Sequence, residues 1–189
     1  SANSIIFTQG SFQQTNNPLD IVIEGKGFFQ IRRADGTIAY TRAGNFQLDR
    51  DGNLVTATGD PVEPAITLNA QAQSITVAQD GTVSYTLPGQ SAAQVAGQIQ
   101  LANFTNPGGL NSIGNGLFLP TDASGEPTAG NPGGQEGMGT LQQGYVESSN
   151  VSVVEEFINM ITSQRAYEAS TKVVKAADEM YQQVNNVAS

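Results

Sequence analysis

A mainly β fold carrying one long C-terminal α-helix is predicted by three observations. Short β-type runs recur from Ile5 to about Val146, three Asp-Gly pairs fall between such runs, and Ser152 to about Asn185 contains neither Gly nor Pro. The expected architecture is a compact β-sheet body of short strands and hairpins over residues 1–146, followed by one extended helical segment over 147–189 that packs between subunits.

The β-type runs are Leu19 to Glu24, Phe28 to Arg32, Ile38 to Arg42, Leu54 to Thr58, Ile75 to Val77, Val83 to Thr86 and Gln98 to Phe104. Asp35-Gly36, Asp51-Gly52 and Asp80-Gly81 each separate two of them, and Gly tolerates the positive φ that a tight hairpin requires while the Asp carboxylate can bond nearby backbone. Three hairpins are expected there. Pro61, Pro64 and Pro88 cannot donate to a ladder, so they belong at strand ends or edges. Asp122 to Gly139, rich in Gly and Pro with almost no apolar residue, reads as a mobile surface loop. After Leu141 to Val146 the period changes from two to helical, with Ser149 or Asn150 as candidate caps and Glu155 and Glu156 in the first turns, where the macrodipole favours negative charge.

With 189 residues the chain is long enough to bury a real core. Only 13% of its residues are charged, against roughly a quarter in ordinary soluble domains, and Gln, Asn, Ser and Thr supply the remaining polarity. Neutral amides and hydroxyls enter protein contacts at lower desolvation cost than ionised groups, so this surface suits repeated interfaces. A net charge of −9 opposes phosphate binding and sets nucleic acid aside as a partner. No apolar run reaches the length of about 20 residues that a spanning helix needs, so membrane insertion is not expected. The chain opens at Ser1 without an initiator Met, close to a strand-like run, and reads as a piece of a longer protein.

On a helical wheel Val153, Val154, Phe157, Ile158, Met160 and Ile161 make one apolar stripe, and Val173, Val174, Ala177, Met180, Tyr181 and Val184 make another. Their centres differ by roughly 160°, far more than the drift of about 20° per heptad that a supercoil absorbs. A helix of about 50 Å, at 1.5 Å per residue, therefore needs cover on different sides along its length, which a small β body cannot provide alone. Other helices, from other copies or from a missing segment, are the expected cover. Val153, Phe157, Ile158, Met160, Ile161, Tyr167, Val174, Met180 and Tyr181 are the expected packing residues. Lys172 and Lys175 are accompanied by Glu168, Asp178 and Glu179, so there is no basic face for a membrane surface.

Catalytic chemistry is poorly represented. Without His or Cys the usual nucleophile-and-base pairs are missing, and a general base would have to be a carboxylate or one of three lysines. Asp49 and Asp51 could serve a carbohydrate-acting site on a β scaffold, and Asp49-Arg50-Asp51-Gly52-Asn53 begins like a calcium loop. Leu54 then stands where that loop needs Gly, and Asp60 where it needs Glu, so a hairpin turn is the better reading. Gly25-Lys26-Gly27 lacks the Ser or Thr of a phosphate loop. No cofactor and no metal are expected, and the chain is not read as an enzyme.

Charge placement carries more information. Lys26, Arg32, Arg33, Arg42 and Arg50 lie in one part of the β region, whereas Asp51 to Val146 holds seven acidic residues and no basic one. Arg32, Arg33 and Arg42 are candidates for an electrostatic contact with the acidic part of a neighbouring copy, a head-to-tail arrangement that generates open helical assemblies.

The stretch GYVESSNVSVVEEFINMITSQRAYEASTKVVKAADEMYQQV, Gly144 to Val184, strongly resembles the C-terminal segment of bacterial flagellar rod and hook proteins. LDIVIEGKGFFQI (Leu19 to Ile31), YTRAGNFQLDRDGNLVT (Tyr40 to Thr56) and GLNSIGNGLFLPT (Gly109 to Thr121) are similar to the same family, so the resemblance covers nearly the whole chain. The connection between β body and helix is too short for the large outer domain of a hook subunit, which favours the distal rod, with the proximal rod as the nearest alternative. The family's N-terminal helical segment, which pairs with the C-terminal helix, is absent from this sequence. The resemblance implies a structural subunit of the basal body, exported by the flagellar type III apparatus without a cleaved signal. It implies stacking with its own copies into a periplasm-spanning drive shaft, next to the proximal rod and hook and inside a ring bushing.

Overall fold

The computed structural model describes residues 7–134, 137–148 and 153–187. The chain divides into two compact units, Ser1–Ser148 and Ser149–Ser189.

Among the described residues of the first unit the strands are, in chain order, β1 (Phe12–Gln14), β2 (Ile21–Glu24), β3 (Phe28–Arg32), β4 (Ile38–Thr41), β5 (Gln47–Leu48), β6 (Leu54–Val55), β7 (Ser74–Val77), β8 (Thr82–Thr86), β9 (Gln94–Gln98), β10 (Leu101–Asn103), β11 (Asn111–Gly114), β12 (Leu117–Leu119), β13 (Thr128–Gly130), β14 (Thr140–Gln143) and β15 (Tyr145–Glu147). The largest sheet has the order β11-β12-β4-β3-β10-β13, a second has β7-β8-β9, and β1-β15, β14-β2 and β5-β6 form pairs.

The three Asp-Gly hairpins form where the turn residues dictate. Gly36, Gly52 and Gly81 take φ of +83°, +84° and +88° between β3 and β4, β5 and β6, and β7 and β8. Asp35 and Asp80 accept the amides of Thr37 and Thr82, each at 2.9 Å. In the middle hairpin the acceptor is Asp49 rather than the Asp of the pair: its carboxylate takes the amides of Asp51 at 2.9 Å and Asn53 at 2.8 Å.

Alternation along the central strands builds two cores. Phe29 and Ile31 of β3 point into the main cluster with Ile21, Ile23, Leu54, Ile99 and Leu141, all essentially inaccessible to solvent. Phe28 points the other way, into an aromatic group with Tyr40, Phe104 and Leu110. There the rings meet edge to face, Tyr40 and Phe104 at 4.8 Å and Phe28 and Phe104 at 5.7 Å between centroids, the arrangement that aligns ring edge with ring face electrostatically. Burial on both faces explains why Phe28 and Phe29 are both apolar at adjacent positions of β3 rather than alternating with polar residues.

The expected mobile loop over residues 122–139 is instead partly structured. It contains β13, which pairs antiparallel with β10 (Leu101 opposite Gly130, Asn103 opposite Thr128). Ser124 is fully buried and its hydroxyl accepts the Thr121 amide at 2.8 Å, while Met138 is buried in the main core. Backbone pairing needs no apolar side chain, so composition did not reveal this strand. Leu141 to Val146 likewise resolves into β14 and β15, separated at Gly144 (φ +84°) and paired with different partners, β2 and β1.

The second unit is described by itself: one helix, α1 (Val153–Val187), 35 residues long. Its extent matches the Gly- and Pro-free stretch. The candidate caps Ser149 and Asn150 lie outside the described residues.

Candidate functional site

The helix is the first candidate surface. Its side chains are described over residues 164–180 and at residue 182, and every one is exposed. Tyr167, Val173, Val174 and Met180 present 60–77% of their surface to solvent. Among the expected packing residues, Tyr167, Val174 and Met180 are thus uncovered, whereas the side chains of Val153, Phe157, Ile158, Met160, Ile161 and Tyr181 lie outside the described residues. Two of its hydroxyls bond back to the helix itself: Ser170 Oγ donates to the Ala166 carbonyl at 3.0 Å, and Thr171 Oγ1 to that of Tyr167 at 2.9 Å.

The arginines separate into two kinds. Arg32 lies at the end of β3, half exposed, with Nε donating to Glu63 at 2.8 Å, and this pairing holds its guanidinium above its ordinary pKa. Arg33 donates through Nη1 to Asp35 at 3.0 Å and is partly exposed. Such solvent-screened pairs are weak. Arg42 differs from them and from the grouping expected of the sequence. Its Nη1 donates to the carbonyls of Gly25 at 2.8 Å and Gly27 at 2.9 Å, and its Nη2 to that of Ile23 at 3.1 Å. Nη2 also reaches Glu147 at 3.1 Å, with side-chain exposures of only 19% and 13% for the pair. The other Glu147 oxygen accepts the Gly10 amide at 2.7 Å. The planar guanidinium fork thus ties β15, the β2–β3 turn and the backbone at Gly10 together. Gly25 and Gly27, at φ +113° and +124°, turn their carbonyls toward it, which is the use of the Gly25-Lys26-Gly27 segment.

Glu147 was not singled out from the sequence, where it reads as one more acidic residue before the helix. Gln143 was missed as well: its amide donates to the carbonyls of Pro18 at 2.7 Å and Ile75 at 2.9 Å and accepts from Val77, joining β14 to β7.

The carboxylates proposed for catalysis or calcium are turn residues. Asp49 is fully exposed and held below its ordinary pKa by Asn53, whose side-chain amide donates at 2.9 Å. Its oxygens are occupied by the hairpin, and among the described residues no group of three or more acidic or metal-ligating side chains converges.

Comparison with known proteins supplies a family. Residues 22–85 match the family model described as the flagellar hook protein FlgE/F/G D1 domain, and residues 142–187 the one described as the flagellar basal body rod FlgEFG protein C-terminal. The flagellar basal-body rod protein FlgG of Buchnera aphidicola (from Acyrthosiphon pisum) is 46% identical over 96% of this chain and 70% of that relative. FlgG of Caulobacter vibrioides is 47% identical over 97% of this chain and 70% of its own length. The flagellar basal-body rod protein FlgF of Escherichia coli is 32% identical over 96% of this chain and 73% of its own. A body with its own double core, a helix with an uncovered apolar face and relatives of this length and identity lead to one assignment: the chain belongs to the FlgG-type flagellar basal-body rod proteins.

Proposed function

We propose that this chain polymerises with its own copies into the distal rod of the flagellar basal body and transmits torque from motor to hook. The observation that carries the reading is α1: Tyr167, Val173, Val174 and Met180 are exposed along a helix that the sequence requires to be covered on more than one side. Packed helices and densely cored domains resist deformation, which is what a drive shaft needs. The names of the FlgG relatives support the rod assignment, and their higher identity compared with FlgF favours the distal over the proximal segment.

The partners in this reading are other copies, the neighbouring proximal rod and hook proteins, and the ring bushing through which the shaft turns. The site is the periplasm-spanning rod, reached through the flagellar type III apparatus without cleavage of a signal. The role is structural, with no catalytic step and no cofactor.

Replacing Phe157 and Ile161 together by Asp tests it in cells lacking their own copy of the subunit. The expected result is complete loss of rods and of motility. Motile cells carrying the double variant would overturn the reading. Arg32 and Arg33 add a second, electrostatic contact to an acidic part of the next copy. Reversing both to Glu is expected to weaken association at low ionic strength and to matter little at high salt.

A further inference from the structure

Four places in the chain pair an Asp or Asn with a following Gly, an arrangement in which the side-chain carbonyl is open to attack by the next backbone nitrogen. Three are the Asp-Gly hairpins described above. The fourth is Asn115-Gly116, the single Asn-Gly pair of the sequence. These two residues join β11 to β12 as a two-residue turn between Gly114 and Leu117, with φ of +54° and +70°. Positive φ at both positions is the turn that Asn-Gly favours, because Asn tolerates that region and Gly adopts it freely.

The four pairs differ in what their reacting groups are bonded to. At each Asp-Gly pair the glycine N–H is donated to a carbonyl: Gly36 to Arg33 at 2.9 Å, Gly52 to Asp49 at 3.2 Å and Gly81 to Ala78 at 3.0 Å. Asp35 and Asp80 also accept from the amide and hydroxyl of Thr37 and Thr82. These bonds hold both carboxylates below their ordinary pKa, and an ionised carboxylate resists a nucleophile. At Asn115 neither party is engaged: its side-chain amide and the Gly116 N–H have no hydrogen-bond partner among the described residues. Both residues are exposed, and a Cβ built at Gly116 would meet nothing nearer than the Thr41 hydroxyl at 3.8 Å, so the approach is open. The attack requires Asn115 to rotate out of its turn. β11 permits that, being an edge strand whose four residues are all exposed.

We propose that Asn115 is a site of spontaneous modification, in which the Gly116 nitrogen closes on the Asn115 side chain and the residue becomes aspartate and isoaspartate. Gly116 N gives up its proton to hydroxide and forms a bond to Asn115 Cγ. The Cγ–Nδ2 bond breaks, and the nitrogen takes a proton from water and leaves as ammonia. Water then opens the five-membered imide. Cleavage between N and Cγ restores the backbone with Asp, whereas cleavage between N and the Asn115 backbone carbonyl routes the chain through Cγ as isoaspartate, one methylene longer. Water enters, ammonia leaves, and no atom is oxidised or reduced.

The product is a carboxylate where a neutral amide stood, adding one negative charge to the −9 of the chain. It lies in a shallow cleft that Asn115 shares with Arg33, Asp35 and Asp60. Arg33, bonded to Asp35 at 3.0 Å, then shares that cleft with three carboxylates instead of two, which lowers the positive potential around its guanidinium.

Ageing of the purified full chain in mildly alkaline buffer, followed by peptide mass spectrometry and ion-exchange chromatography, tests the proposal. Asn115 is expected to deamidate at least tenfold faster than any other asparagine, giving a mixture of aspartate and isoaspartate and a matching acidic species on the column. Asp35 and Asp80 are expected to stay unisomerised over the same period. Asn115→Gly keeps the positive φ of the turn and is expected to abolish the acidic species; should it melt early, the wild-type peptide map decides alone. Unfolding in urea is expected to add isomerisation at Asp35 and Asp80 while speeding Asn115 less than tenfold. The proposal is overturned if Asn115 persists as long as the other asparagines, if Asp35 or Asp80 reacts as fast in the folded chain, or if folded N115G acidifies like wild type. Acceleration of Asn115 by more than tenfold on unfolding would overturn it too, since the turn would then protect the residue.

Discussion

The β body and the helix meet the same physical demand by opposite routes. The body buries Phe29, Ile31, Val62, Ile99 and Leu101 completely and satisfies its buried polar side chains, so its stability is intrinsic to one chain. The helix keeps every described side chain exposed, including Tyr167 at 77%. An isolated helix gains little from propensity alone and most of its stability from packing.

The sharpest way to break this contrast is to empty the body's core. Phe29→Ala removes a ring that is fully buried and stands edge to face with Phe46 at 5.0 Å, so a loss of about 3–5 kcal/mol in unfolding free energy is expected by chemical denaturation. In the helix, Val174→Ala is expected to leave the monomer's denaturation midpoint within about 0.5 kcal/mol, as for an exposed site, while weakening association. An equal effect of the two substitutions on the monomer would erase the distinction between the regions.

The Arg42–Glu147 pair comes next, since it lies at the end of the body. Glu147→Ala leaves a poorly solvated guanidinium without its carboxylate and the Gly10 amide without its acceptor, and is expected to cost about 2–3 kcal/mol. Arg42→Lys keeps the charge but loses the fork and is expected to cost less. Denaturation curves of the two variants check the order.

Turn glycines give a finer comparison within the body. Gly81→Ala places a methyl against the Ile99 carbonyl in addition to adopting positive φ, whereas the Cβ at Gly36 would meet nothing within 4 Å. The Gly36 change is expected to cost about 1 kcal/mol, and the Gly81 change clearly more, measured as paired shifts in melting temperature.

The smallest effect is that of acid. Asp35, Asp49 and Asp80 are all held below their ordinary 3.8, chiefly by hydrogen bonds from Thr37, Asn53 and Thr82. A folded pKa below the unfolded one means that these turns contribute fully above 3.8, and that the contribution falls away as pH drops through the lower folded values. Stability should therefore be flat from neutral pH down to about 4 with respect to these groups and fall below it, and Asp80→Asn should shallow that fall. A decline beginning near pH 6 would contradict the assignment.

Much of this was legible in the sequence because its cause is local. The Asp-Gly pairs mark the three hairpins, Phe28 to Arg32 is recovered as β3 with the same bounds, and a stretch free of Gly and Pro becomes α1 because nothing in it interrupts an i to i−4 ladder. What only the tertiary structure decided are the pairings between residues far apart in the chain. Arg42 looked like its neighbours Arg32 and Arg33 until the fold brought Glu147 to it across 105 positions. Thr128–Gly130 looked like loop until β10 supplied its ladder. Periodicity and turn chemistry act over a few residues and can be read in one dimension. Salt bridges, ladders and edges depend on which segments become neighbours, and that follows from burying the whole core at once.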